Sequence, residues 1–277
     1  LDFKFTSENE SKFAPTRREK RSVAALHEYF RNEVGVNFGH LQRELKIQTY
    51  SKKSITMSKF SKQEVLAKLD ALPAIPLFYH ADITFATQIL DASYQAGMRA
   101  FEFTNRGPGA LTVFKVLVEH AAVHCPDLAL GIGTIFTTEQ AKEFLDAGAD
   151  FLIQPVITPA VGAICQKRGV AWLPGALTVN EIYQAQVLGA DIVKIFPANS
   201  LGPGFIKSVL GPMPAAKLMV TGGVEPNEAN LREWFGAGAQ YVGLGSQLFK
   251  NADQLGVDAL SRQIAEVVEI VKKITGK

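Results

Sequence analysis

A chain of 277 residues that is 47% hydrophobic and 20% charged, with 23 Gly and 13 Pro, carries enough apolar surface for a full core, which excludes disorder throughout. Its net charge of +2 is unevenly spread: residues 1–57 hold 11 Lys/Arg and 7 Asp/Glu, leaving 18 and 20 for residues 58–277. A mildly acidic body without a basic stripe has little grip on a nucleic-acid backbone, so nucleic acid is excluded as the main partner.

Residues 1–57 mix Arg-Arg-Glu-Lys-Arg (17–21) with isolated aromatics and offer little to pack; their seven acidic residues argue against a transit peptide. Met57 directly precedes Ser-Lys-Phe-Ser-Lys-Gln-Glu, an entry into a capped helix. The expectation is that Met57 is the natural start and that residues 1–57 form a non-native or disordered extension. A helix follows over Ser61 to Leu72, placed across the bottom of what comes next.

From residue 72 onward one junction recurs, in which a helix ends in Gly, a small or polar residue follows, and an apolar strand begins. Gly97, Gly148, Gly169, Gly189 and Gly238 mark it, at intervals of 51, 21, 20 and 49 residues. Glycine suits the left-handed residue that closes a helix. Intervals of 20 and 21 fit one β-α unit and those near 50 fit two. The strands so predicted begin near Ala74, Ala100, Leu128, Phe151, Ala171, Asp191, Lys217 and Gln240, with a last helix over Val257 to Ile274.

Strands alternating with helices imply a parallel sheet with right-handed crossovers, and eight equal units imply closure. The predicted fold class is α/β, a (β/α)8 TIM barrel in a single domain over residues 58–277. An open doubly wound sheet is disfavoured because no GxGxxG opens the first helix, whose approach reads Tyr79-His80-Ala81-Asp82.

Catalytic groups of such a barrel sit at the C-terminal ends of its strands. Side chains alternate along a strand, so if Phe101 and Phe103 of the second strand face the helices, Glu102 faces the lumen. By the same alternation Lys194 of the sixth strand faces in between Val193 and Ile195. Both strands are even-numbered and feed the same interior layer, where the two charges can meet. A structural ion pair is one reading. The other is chemical: desolvation lowers a lysine pKa and frees an amine that can attack a carbonyl and form a Schiff base, with Glu102 moving protons. Lys207, just past the sixth strand, is the nearby rival nucleophile. Arg106, beyond the end of the second strand, is a cation able to grip a substrate carboxylate.

The seventh strand ends Val220-Thr-Gly222-Gly223 and the eighth Val242-Gly243-Leu-Gly245-Ser246. Glycine lets backbone N–H groups approach an anion there, so these loops are the predicted phosphate site. The five His give no metal site. His120 and His124 lie four apart on a helix without the Glu of HExxH and read as an exposed pair, and His80 stands alone at the barrel mouth. Cys125 and Cys165, with 39 residues between them and no CxxC, read as reduced helix-borne thiols. No run of about 18 apolar residues is present and the N-terminus lacks an apolar signal core, so the expected location is the cytoplasm, without a membrane partner.

Phe101-Glu-Phe-Thr-Asn-Arg106, Gly131-Ile-Gly-Thr134, Lys194-Ile-Phe-Pro-Ala198, Thr221-Gly-Gly223 and Gly243-Leu-Gly-Ser246, in this order and at strand ends, carry a resemblance. Over about residues 60–277 the chain resembles the 2-keto-3-deoxy-6-phosphogluconate (KDPG) / 4-hydroxy-2-oxoglutarate (KHG) aldolases. The resemblance implies that Lys194 forms the Schiff base with pyruvate, that Glu102 is the general acid/base and that Arg106 and Thr134 hold the pyruvate carboxylate. Pro155, Phe196 and Thr221 would line the site, Gly222, Gly223, Gly245 and Ser246 would bind phosphate, and the assembly would be a homotrimer without metal or other cofactor. Three positions depart from the family pattern: Gln154-Pro-Val where Ser-Pro-Gly is common, Asn199 where Glu is usual, and Tyr79-His80 where some members have a basic residue.

The expected function is reversible cleavage of a 2-keto-3-deoxy sugar acid, 6-phosphorylated, or of 4-hydroxy-2-oxoglutarate to pyruvate and an aldehyde. A phosphate-binding barrel isomerase using Glu102 without covalent catalysis, and a non-catalytic sugar-phosphate-binding barrel, are the alternatives.

Overall fold

The computed structural model describes residues 58–277, and the expectations for residues 1–57 lie outside the described residues. Ser61 opens the first helix by a reciprocal cap, in which its hydroxyl accepts the Glu64 N–H and the Glu64 carboxylate accepts the Ser61 N–H. That helix, α1 (Lys62–Ala71), leads through Leu72 into β1 (Ala74–Phe78). The chain then alternates: α2 (Ile83–Gln95), β2 (Ala100–Thr104), α3 (Ala110–His124), β3 (Ala129–Gly133), α4 (Thr138–Asp146), β4 (Phe151–Ile153) and α5 (Pro159–Arg168). The second half runs β5 (Ala171–Leu173), β6 (Gly175–Ala176), α6 (Val179–Val187), β7 (Val193–Ile195), α7 (Pro203–Leu210), β8 (Leu218–Thr221), α8 (Glu228–Gly236), β9 (Tyr241–Leu244) and α9 (Val257–Thr275).

All strand pairs are parallel, in the order β5-β4-β3-β2-β1-β9-β8-β7-β6. β5 and β6 are one predicted strand broken at Pro174, so the two ends of that order are covalently joined and the ring closes. Proline lacks the N–H a ladder needs, yet its carbonyl still accepts the Lys194 N–H at 2.8 Å. Eight staves therefore stand as expected, with nine strand segments. The five junction glycines all take positive φ, between 66° and 101°.

Alternation sorts the core into two. Val65 and Leu69 of α1 plug the barrel bottom against Ala100, Phe151, Ile153, Leu173, Ile192, Met219 and Tyr241, all inside the lumen. The opposite faces of the same strands, among them Phe101, Phe103, Val193 and Ile195, pack under the helices with Leu90, Phe114 and Val268. Each fully buried side chain of this size contributes about 2 kcal/mol. Glu102 and Lys194 thus stand one layer above a sealed apolar floor.

The outer helical layer corrects one expectation. His124 is exposed, but His120 is half-buried, its Nε2 2.7 Å from Asp91 Oδ1, and the Cys125 thiol donates to the same oxygen at 3.6 Å. Burial beside that carboxylate pushes the Cys125 thiol up to about 12. Both cysteines are free and buried.

Candidate active site

Alternation along β2 and β7 turns Glu102 and Lys194 inward, because their neighbours Phe101, Phe103, Val193 and Ile195 pack under the helices. Lys194 Nζ lies 3.8 Å from Glu102 Oε1, with the side chains only 6% and 1% exposed. Neither Glu102 oxygen has a hydrogen-bond partner among the described residues. Space for this carboxylate is made by Gly133 on β3, where a Cβ would collide with it.

Burial dominates the electrostatics of both groups. It raises the Glu102 carboxyl above its ordinary value, opposed by the nearby charges of Lys194 and Arg106. It lowers the Lys194 ammonium, opposed by Glu102 and reinforced by Arg106. The pair is driven towards a neutral amine beside a protonatable acid. An amine shifted in this direction is a better nucleophile than an exposed lysine, and a buried carboxyl group without a hydrogen-bond partner can give or take a proton.

The Lys194 nitrogen also sits 5.3 Å from the centroid of the Phe196 ring. Phe196 is shared with a cavity of about 290 Å3 at the C-terminal mouth, which Arg106, Thr221, Gly222, Gly223, Gly245 and Ser246 also line. The structure therefore brings together seven of the residues picked out in the sequence around one space. Both loop glycines, Gly222 and Gly223, have positive φ (92° and 75°), and Asn199 packs so closely on Gly223 that a Cβ there would strike it. The Thr221 hydroxyl is buried without a hydrogen-bond partner among the described residues.

Lys194, Glu102, Thr134 and Pro155 do not themselves line that cavity, and Lys194 reaches its wall through Phe196. Thr134 follows β3 with φ 62°, a left-handed conformation that costs a non-glycine residue about 1–2 kcal/mol. Pro155 follows β4, and its backbone is so close to Gly175 that no side chain fits there. Lys207 is exposed on α7, away from the buried setting that would activate it. His80 is exposed, its Nδ1 accepting the Asp82 N–H at 3.1 Å.

With this geometry in place, the family comparison is decisive: the model of the KDPG and KHG aldolases matches residues 65–263. The chain belongs to the KDPG and KHG aldolase family. It is 31% identical over 220 residues to the 2-dehydro-3-deoxy-phosphogluconate aldolase of Treponema pallidum, covering 75% of this chain and 98% of that one. It is 30% identical over 181 residues to the probable 2-dehydro-3-deoxy-6-phosphogalactonate aldolase of Rhizobium meliloti, covering 65% and 82%. The solved KDPG aldolase of Legionella pneumophila, with pyruvate captured as a covalent carbinolamine, superposes with a TM-score of 0.64 at 26% identity over 73% of this chain and 96% of that one. The barrel is thus an aldolase barrel.

Four further members of the cavity wall escape a reading of the sequence: Leu77, Val224, Glu225 and Gln247. Leu77 carries a usable signal, since it sits near the C-terminal end of β1. Glu225 and Gln247 follow the glycine motifs of β8 and β9, but loop direction has no period to read. The Glu225 carboxylate accepts from Asn227 Nδ2 at 2.9 Å.

Proposed function

We propose that this aldolase reversibly cleaves a 2-keto-3-deoxy-6-phospho sugar acid, or 4-hydroxy-2-oxoglutarate, to pyruvate plus glyceraldehyde 3-phosphate or glyoxylate through a Schiff base on Lys194. The observation that carries this reading is the buried Lys194–Glu102 pair at 3.8 Å, its carboxylate without a hydrogen-bond partner among the described residues and its amine beside Phe196, which walls the cavity. The neutral Lys194 amine attacks the C2 carbonyl. Glu102 protonates the carbinolamine oxygen, which leaves as water, and the protonated imine then accepts the electron pair of the breaking C3–C4 bond while the C4 hydroxyl proton passes to base. The resulting enamine takes a proton at C3, and water releases pyruvate and the free amine.

Arg106 and Thr134 hold the carboxylate in this scheme; Pro155, Phe196 and Thr221 wall the site. The backbone of Gly222, Gly223 and Gly245 with the Ser246 hydroxyl receives the phosphate. The imine is itself the electron sink, so the reading calls for no metal or cofactor. Relatives named for both the gluconate and the galactonate acids support the substrate class. A homotrimer in the cytoplasm completes the proposal, and the exposed apolar side chains of Phe136, Val156, Tyr183 and Val187 support an assembly of copies.

The test is pyruvate release from the two epimeric 2-keto-3-deoxy-6-phospho acids and from 4-hydroxy-2-oxoglutarate. Pyruvate from at least one of them is expected. No release from any, by protein that is folded, contradicts the assignment.

A further inference from the structure

Thr134 can keep its left-handed backbone only if its neighbours fix it from both sides. On one side the Gly133 carbonyl accepts the Asn105 N–H at 2.9 Å. On the other, the Ile135 carbonyl accepts Gln154 Nε2 at 3.0 Å, and the Phe136 carbonyl accepts the Thr158 hydroxyl at 3.2 Å. Gln154 joins these contacts. Its Nε2 also donates to Thr158 Oγ1 at 3.1 Å, and its Oε1 accepts the Trp172 indole N–H at 2.8 Å.

The direction of the amide follows from donor chemistry. An indole nitrogen can only donate, so the oxygen of Gln154 must face Trp172, and the NH2 end is left for the Ile135 carbonyl, which can only accept. Gln154 is completely buried, so water cannot replace either contact.

We propose that Gln154 is a positioning residue that sets the backbone of Thr134 and thereby tunes how tightly the site grips the carboxylate of its 2-keto acid. This rests on the aldolase reading, in which Thr134 holds that carboxylate. Gln154 touches no reacting atom, and its effect falls on binding rather than on proton transfer.

Two variants test it. Gln154→Met keeps the volume and removes all three bonds; Thr158→Val removes the Gln154 and Phe136 links and leaves the Trp172 bond. KM and the pyruvate concentration giving half-maximal borohydride adduct are expected to rise about tenfold in Gln154→Met, with kcat within about threefold of wild type. Thr158→Val is expected to move in the same direction by a smaller factor, and carries the test alone if Gln154→Met does not fold. A lowered Tm with both half-saturation values unchanged makes Gln154 merely structural and overturns the proposal while leaving the aldolase reading intact. A wild-type protein that forms no pyruvate adduct overturns both.

Discussion

Lys194 and Glu102 are displaced from their ordinary protonation in opposite senses by one cause, burial in the same interior layer, and each partly restores the other. Removing the carboxylate therefore has two effects of different kind. Glu102→Gln is expected to slow turnover by about 100-fold or more, since proton transfer loses its agent. It also removes the charge that raises the Lys194 pKa, so the acid limb of imine formation, followed by borohydride trapping across pH, should move to lower pH. A limb that moves up or stays fixed would deny the coupling. Both residues were legible in the sequence because a strand alternates strictly, so a charge between two apolar neighbours has one place to point. Thr134 was singled out in the sequence only by family likeness, and its left-handed backbone was not legible, because threonine carries no signal for positive φ.

β3 makes room for its neighbour rather than supplying chemistry. Gly133 lies beside the Glu102 carboxylate and Gly131 beside the Phe151 ring, and in both places a methyl group has no space. Gly133→Ala is expected to displace the carboxylate and lower kcat by about 100-fold or more, while far-UV circular dichroism shows a folded barrel. Wild-type kcat in that variant would mean Glu102 need not stand where it does. The elements themselves followed from the sequence closely, with observed strand starts within two residues of those predicted, because helix-closing glycines and the cap of the first helix at Ser61 are local signals. The break of the fifth stave at Pro174 and the half-burial of His120 were not anticipated. The first depends on which edge of the strand needs its donor, and the second on Asp91, a residue 29 positions away.

Burying Glu102 and Lys194 together costs the whole barrel stability, and that cost depends on pH. Unfolded, both groups ionise normally, at 4.5 and 10.5. Folding raises the first and lowers the second, so the penalty is largest between those values. It eases as pH falls towards 4.5, where protonated Glu102 is tolerated, and as pH rises towards 10.5, where neutral Lys194 is. Replacing both charges by the neutral pair Glu102→Gln/Lys194→Met should leave the barrel as stable as wild type at pH 7 or more stable by about 1–4 kcal/mol, read from denaturant unfolding. A clear loss of stability would identify the pair as a structural salt bridge. The central claim concerns one nitrogen, and it can be weighed directly. Wild-type protein and Lys194→Met are reduced with borohydride in the presence of pyruvate and mapped by peptide mass. The expected result is a single pyruvate-derived increment on the peptide holding Lys194, absent from the variant; an adduct on another lysine, or none at all, would contradict it.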